Sequence, residues 1–120
     1  MTLRVLIVDD EALVLDQLQR LLARRGFHVE TAPSGEAALE QLPTARPELV
    51  IMDFKMTGLN GIEVARCIRK AGYDVPILLM SGYYDADAEQ LVEAGVIQAF
   101  LAKPYDIRAL ALAIGRARAH

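Results

Sequence analysis

At 120 residues, 53% of them apolar, the chain suits one domain, residues 1–120, with a core that needs no covalent staples. A lone cysteine, Cys67, excludes a disulfide framework or a cysteine-clustered zinc site within one chain and points to a reducing, cytoplasmic compartment. A net charge of −3 offers no footprint for nucleic acid, and no apolar run has the length of a signal core or a membrane span.

Val5–Val8 reads as a short strand buried on both faces. The acidic turn Asp9-Asp10-Glu11 follows, then a helix with Val14, Leu18, Leu21 and Leu22 in one stripe. Arg24 and Arg25 suit its last turn and Gly26 its C-terminal cap. Phe27, Val29 and Thr31 then alternate with His28 and Glu30, the pattern of a half-exposed strand. Ser34 is placed to cap a second helix, which is expected to end before Pro43. Leu49–Met52 is the next continuous apolar run and delivers Asp53. Asn60 and Glu63 form a box-like opening to a third helix, with Val64, Cys67 and Ile68 expected to face inward and Gly72 to stop it. Ile77–Met80 is a third continuous run and delivers Ser81. Asp85 is expected to open the fourth helix and Gly95 to close it. Ile97, Ala99 and Leu101 alternate with Gln98 and Phe100 and lead to Lys103-Pro104. Asp106 opens the fifth helix, with Ile107, Leu110 and Ile114 inward and Arg116 and Arg118 near its C-terminus. His28 and His120 match no cluster and are expected to be exposed, and Tyr83 and Tyr84 to be loop aromatics that partly shield the site.

Strands alternating with helices imply a parallel α/β sheet. The two alternating strands belong at its edges and the three continuous ones in its middle. Right-handed crossovers then favour a flavodoxin-like, doubly wound sheet of order 2-1-3-4-5 with five helices.

In such a sheet, functional groups collect at the carboxyl ends of the strands, near the switch in strand order. Asp9, Asp10, Asp53, Ser81 and Lys103 all leave strands at that rim. Three carboxylates together repel one another and call for a hard cation, for which Mg2+ with its oxygen ligands is suited. A flavin phosphate would be repelled by the Asp9-Asp10-Glu11 loop, which has none of the small hydroxyl residues such a ligand needs. The chemistry that fits is metal-assisted phosphoryl transfer to Asp53, with Lys103 and Ser81 holding a phosphoryl oxygen.

Together these residues resemble the response-regulator receiver family of two-component signalling. The resemblance runs from Arg4 to about Arg118. It is carried by Asp9-Asp10, by Asp53-x-x-Met56-x-Gly58-x-x-Gly61, by Ser81-Gly82 and by Lys103-Pro104, each after its own strand. The resemblance implies that Asp53 is the phospho-acceptor. It also implies that Asp10, Asp53 and the backbone carbonyl of Lys55 bind Mg2+, with Asp9 acting through a water. Lys103 would pair with Asp53, and Ser81 and Phe100 would act as the switch residues. A histidine kinase or histidine phosphotransfer protein would supply the phosphoryl group, and an output domain or target protein would receive the signal. A homodimer through the fourth helix, fifth strand and fifth helix is compatible with this pattern. The chain would be a signalling switch that catalyses only its own phosphorylation and dephosphorylation. Lys55 and Tyr83, both large, stand where the family modulates loss of the phosphoryl group and are expected to obstruct water.

Two positions depart from the family pattern: Thr57 stands where proline is usual, which suggests a less rigid loop, and Ser81 replaces the commoner threonine. The competing readings are a haloacid-dehalogenase-type phosphatase and an interaction module that is never phosphorylated. The first needs a second aspartate two residues past the nucleophile, where this chain has Lys55.

Overall fold

The computed structural model describes residues 2–82 and 86–119, so the expectations for Tyr83, Tyr84, Asp85 and His120 lie outside the described residues. Five strands, β1 (Arg4–Val8), β2 (His28–Ala32), β3 (Leu49–Asp53), β4 (Ile77–Ser81) and β5 (Ala99–Ala102), alternate with five helices. The helices are α1 (Ala12–Arg24), α2 (Gly35–Ala45), α3 (Gly61–Lys70), α4 (Ala86–Glu93) and α5 (Ile107–Arg118). All pairings are parallel and the order is β2-β1-β3-β4-β5, the flavodoxin-like arrangement expected.

Burial follows from this order. Every residue of β3 and β4 is buried, whereas β2 alternates between exposed and partly buried positions, as an edge strand does. Successive side chains point to opposite faces and build two cores. Ile7, Ile51, Leu78 and Met80 pack against Leu18, Leu22, Leu110 and Ile114 of α1 and α5. Leu6, Val8, Met52 and Leu79 pack against Leu42, Val64, Ile68 and Leu91 of α2, α3 and α4. Phe100 sits partly buried on this second side.

The punctuation works largely as the residue types suggest. The Ser34 side chain accepts from the Ala37 N–H, and Asn60 and Glu63 complete a reciprocal capping box. Asp106 caps α5 by accepting from the Ala109 N–H. Gly26, Gly72 and Gly95 take positive φ just beyond α1, α3 and α4.

Three local expectations need correction. The second helix does not stop before Pro43 but runs through it to Ala45. A proline in the last turn forfeits only its own N–H bond, while Leu42 stays in the core and its carbonyl accepts from Arg46 at 3.0 Å. Cys67 is exposed, because Val64, Ala65 and Ile68 form the buried stripe of α3 and position 67 falls beside it. Ile107 is also exposed (37%), since the first turn of α5 stands off the sheet that Leu110 and Ile114 cover. His28 is exposed, as expected.

Candidate functional site

Backbone pairing at the carboxyl end of the sheet places the functional groups. The Asp9 N–H donates to Ala32, the Phe54 N–H to Met80, and the Lys103 N–H to Ser81, at 3.2, 2.7 and 2.7 Å. Asp53 is the last residue of β3 and Ser81 the last of β4, each held in register by its neighbours. Asp9, Asp53 and Ser81 are the buried polar side chains at this rim, 1%, 6% and 2% exposed. Such burial of carboxylates is costly unless something compensates it.

For Asp53 the compensation is Lys103. Its ammonium donates to Asp53 Oδ1 at 2.7 Å, joining the segment just after β5 to the end of β3 across 50 residues of sequence. Burial depresses the Lys103 pKa, but the hydrogen bond and charge of Asp53, helped by Asp9, outweigh it and raise the value above 10.5. The Lys103–Pro104 peptide is cis. Tyr105, partly buried against the α1–α5 core, lies within electrostatic range of Lys103, Asp9 and Asp53.

Asp9 is compensated only in part. Oδ1 accepts from the Glu11 N–H at 2.9 Å, but Oδ2 is buried without a hydrogen-bond partner. Burial raises the Asp9 pKa, the Glu11 N–H opposes this, and the charge of Asp53 adds to the rise. A carboxyl whose folded pKa lies above its ordinary 3.8 binds its proton more tightly in the folded state. Ionised Asp9 therefore costs stability at neutral pH, and the cost is relieved as pH falls through the raised value. Asp9→Asn is expected to stabilise the metal-free protein at pH 7 by about 1 kcal/mol, a gain that shrinks toward pH 4. Urea denaturation across that range without divalent ions checks this, and equal stability of the two proteins at pH 7 would contradict it.

Asp10 is exposed and turned toward the loop after β3. Its Oδ2 accepts from both the backbone N–H and the hydroxyl of Thr57, at 2.8 and 2.9 Å. These two bonds hold the Asp10 carboxyl below its ordinary range. Asp10, Glu11, Lys55, Met56 and Thr57 line one open cleft of about 360 Å3. Two residues on, the Leu59 N–H donates to Glu36 of α2 at 3.4 Å. The loop after β3 is thus tied at two points to carboxylates from other elements, Thr57 itself supplying one tie. Gly61 closes the loop, its N–H bonded to the Phe54 carbonyl at 2.8 Å.

Among the described residues, no three or more His, Cys, Asp or Glu side chains stand together as metal ligands. The donor set is nonetheless oxygen-rich, and the orphaned Asp9 Oδ2 is a buried acceptor that a cation's water shell would satisfy. The residues present therefore fit a hard divalent ion. Phe100 stands in register with Leu79 on β4 and packs over the second core. Sequence reasoning noted Thr57 only as a departure from the family pattern and missed Glu36 and Tyr105; Thr57 carried a signal in its place four residues past Asp53, and Tyr105 in its place two residues past Lys103.

Comparison with known proteins agrees with this geometry. Residues 5–115 match the model of the response regulator receiver domain. The response regulator MprA of Mycolicibacterium vanbaalenii is 37% identical over 112 residues, covering 92% of this chain and 48% of that protein. The chain thus spans about half the length of the curated relatives it matches. The chemotaxis protein CheY4 of Vibrio cholerae superposes with a TM-score of 0.88 at 28% identity, covering 98% of this chain and 99% of that one. The response regulator TrrA of Thermotoga maritima, solved in complex with Mg2+-BeF, gives 0.83 at 29%, covering 97% and 99%. Among the described residues, no helix is long and apolar enough to cross a membrane.

Proposed function

Since the chain belongs to the response regulator receiver domain family, we propose that it accepts a phosphoryl group on Asp53 from a histidine kinase or histidine phosphotransfer protein. The whole of residues 1–120 would act as one cytoplasmic receiver unit that passes the signal to an output domain or target protein. The observation that carries this reading is the 2.7 Å contact between Lys103 and Asp53, at a strand end beside the unpartnered oxygen of Asp9.

A carboxylate is a weak nucleophile, and a phosphoryl donor is itself anionic, so charge compensation decides the rate. An Asp53 oxygen would form the new O–P bond while the N–P bond to the donor imidazole breaks and the imidazole leaves. Lys103 would turn from Asp53 to the incoming phosphoryl oxygens, and the Ser81 hydroxyl would hold another. Asp10, Asp53 and the backbone carbonyl of Lys55 would hold Mg2+, with Asp9 acting through a water. When bound, Mg2+ would neutralise the repulsion among the carboxylates and the phosphoryl group. Ser81 and Phe100 would act as the switch toward α4 and β5, a reading supported by the burial of Ser81 and the half-burial of Phe100 against the same core as Leu91. A homodimer would use the surface of α4, β5 and α5.

The test is incubation with acetyl phosphate and Mg2+, with phosphorylation read by phosphate-affinity electrophoresis. The wild-type protein is expected to shift, whereas Asp53→Asn, or wild type with excess EDTA, should not. A shift that survives Asp53→Asn would overturn the assignment, and no shift in any sample would favour an unphosphorylated interaction module.

A further inference from the structure

We infer that Thr57 is a positioning residue for the divalent cation, acting through Asp10; this rests on the reading of Asp10 as a metal ligand. Two donors from one residue, a backbone N–H and a hydroxyl, converge on one oxygen of Asp10 at 2.8 and 2.9 Å. Asp10 is exposed at the start of an acidic turn, where a free side chain would sample several rotamers. Two bonds to one carboxylate oxygen select one rotamer and leave the carboxylate its second oxygen for a cation.

The contact joins parts of the chain 47 residues apart. It draws the loop after β3 against the turn after β1, and that loop carries the Lys55 carbonyl two residues before Thr57. The same pair of bonds therefore orients one proposed ligand and places another beside it. Glu36 holds the far side of the loop through the Leu59 N–H, so the loop is braced on both flanks of Gly58. Partners that hydrogen-bond a ligating carboxylate reduce the ordering that metal binding would otherwise require.

Thr57 matters here through both of its donors. Thr57→Val removes the hydroxyl and keeps the N–H, Thr57→Pro removes both, and Thr57→Ser keeps both. Position 57 is exposed, so the substitutions leave the cores untouched.

The experiment is a calorimetric titration of the unphosphorylated protein with MgCl2, which reads binding without any transfer reaction. Thr57→Pro is expected to weaken Mg2+ binding about 10-fold. Thr57→Val should weaken it roughly threefold, as for the loss of one exposed hydrogen bond, and Thr57→Ser should match wild type. Asp10→Asn serves as the reference. If Asp10→Asn loses Mg2+ but Thr57→Pro and Thr57→Val bind it as tightly as wild type, or more tightly, the inference about Thr57 fails while the metal reading stands. If Asp10→Asn binds Mg2+ like wild type, both fall. A Thr57→Ser variant as weak as Thr57→Val would also overturn the role of the hydroxyl.

Discussion

Lys103→Met is expected to slow phosphoryl transfer to Asp53 about 100-fold, the typical cost of removing one preorganised donor at a centre of developing charge. Methionine keeps an unbranched apolar stem, so the loss is of the ammonium rather than of packing. Without it, an anionic donor approaching Asp53 and Asp9 would lose the ammonium now held 2.7 Å from Asp53 and would depend on Mg2+ alone for compensation. The same substitution should lower the stability of the metal-free protein by about 2 kcal/mol. That is less than the 3–5 kcal/mol typical of breaking a fully buried pair, because the Lys103 side chain is 31% exposed and partly screened. Lys103→Arg keeps the charge and a donor for Asp53 and should recover most of the stability, but not the rate, since a larger planar fork cannot turn from Asp53 to a phosphoryl oxygen as a compact ammonium with three rotatable donors can. The folded-state pKa of Lys103 is raised, so the stability gained from its charge is fully present below 10.5 and is lost as pH rises through the higher folded value. The stability gap between wild type and Lys103→Met should therefore hold through the neutral and mildly alkaline range and narrow only in strong alkali. Transfer rates with acetyl phosphate and urea denaturation at several pH values check both parts. Rates within threefold of wild type would remove Lys103 from the chemistry.

Gly61→Ala should produce the second large effect, this time through sterics. A Cβ at Gly61 would lie 2.6 Å from the backbone oxygen of Asp53, 2.6 Å from Leu79 Cδ1 and 3.0 Å from the Phe54 Cα. Two of these neighbours are backbone, fixed by the Phe54 bond to Met80 and the Gly61 bond to Phe54. The third belongs to a side chain 1% exposed in the core. No flexible group is available to yield, so either α3 withdraws from the sheet or the end of β3 shifts. The expected cost is about 3 kcal/mol, at the upper end of overpacking effects. Displacement of the Asp53 carbonyl should also slow phosphorylation of whatever protein remains folded. Gly115→Ala is the control: a Cβ there meets nothing within 4 Å. In the interior of α5 it should be neutral or stabilise by up to about 1 kcal/mol. A Gly61→Ala variant as stable as wild type would mean that the helix and strand are not in the contact described.

Much of the fold was legible because its signals are local. Continuous apolar runs at Val5–Val8, Leu49–Met52 and Ile77–Met80 can be buried on both faces only in the middle of a parallel sheet, and the alternating residues around Val29 and Ala99 suit edges. Those facts, with the handedness of crossovers, lead to the observed order without any distance being known. Caps were legible for the same reason, since Ser34, Asn60 and Asp106 act on backbone within three residues of themselves. Errors arose where a small angular or energetic balance decided the outcome. Cys67 and Val64 are three residues apart, close enough on a helix to share a face by pattern, yet one is exposed and the other buried. Pro43 is a helix breaker by rule, but in a final turn its penalty is small against the burial of Leu42.

The residue types that emerge at the strand ends, Asp9 and Asp10, Asp53, Ser81 and Lys103, can be read from the chain without coordinates. Their order along the chain follows from covalent connectivity, and their shared rim follows from parallel pairing. How each charge is compensated depends instead on the folded arrangement. Lys103 reaches Asp53, Asp9 keeps one oxygen buried and unpartnered, and Asp10 is held by Thr57. These partners are separated by tens of residues, and hydrogen bonds at 2.7–2.9 Å depend on backbone placement and rotamer, which no periodicity encodes. Thr57 shows the difference most clearly. In the chain it is a missing proline; in the fold it is the N–H and hydroxyl that hold the Asp10 carboxylate in place.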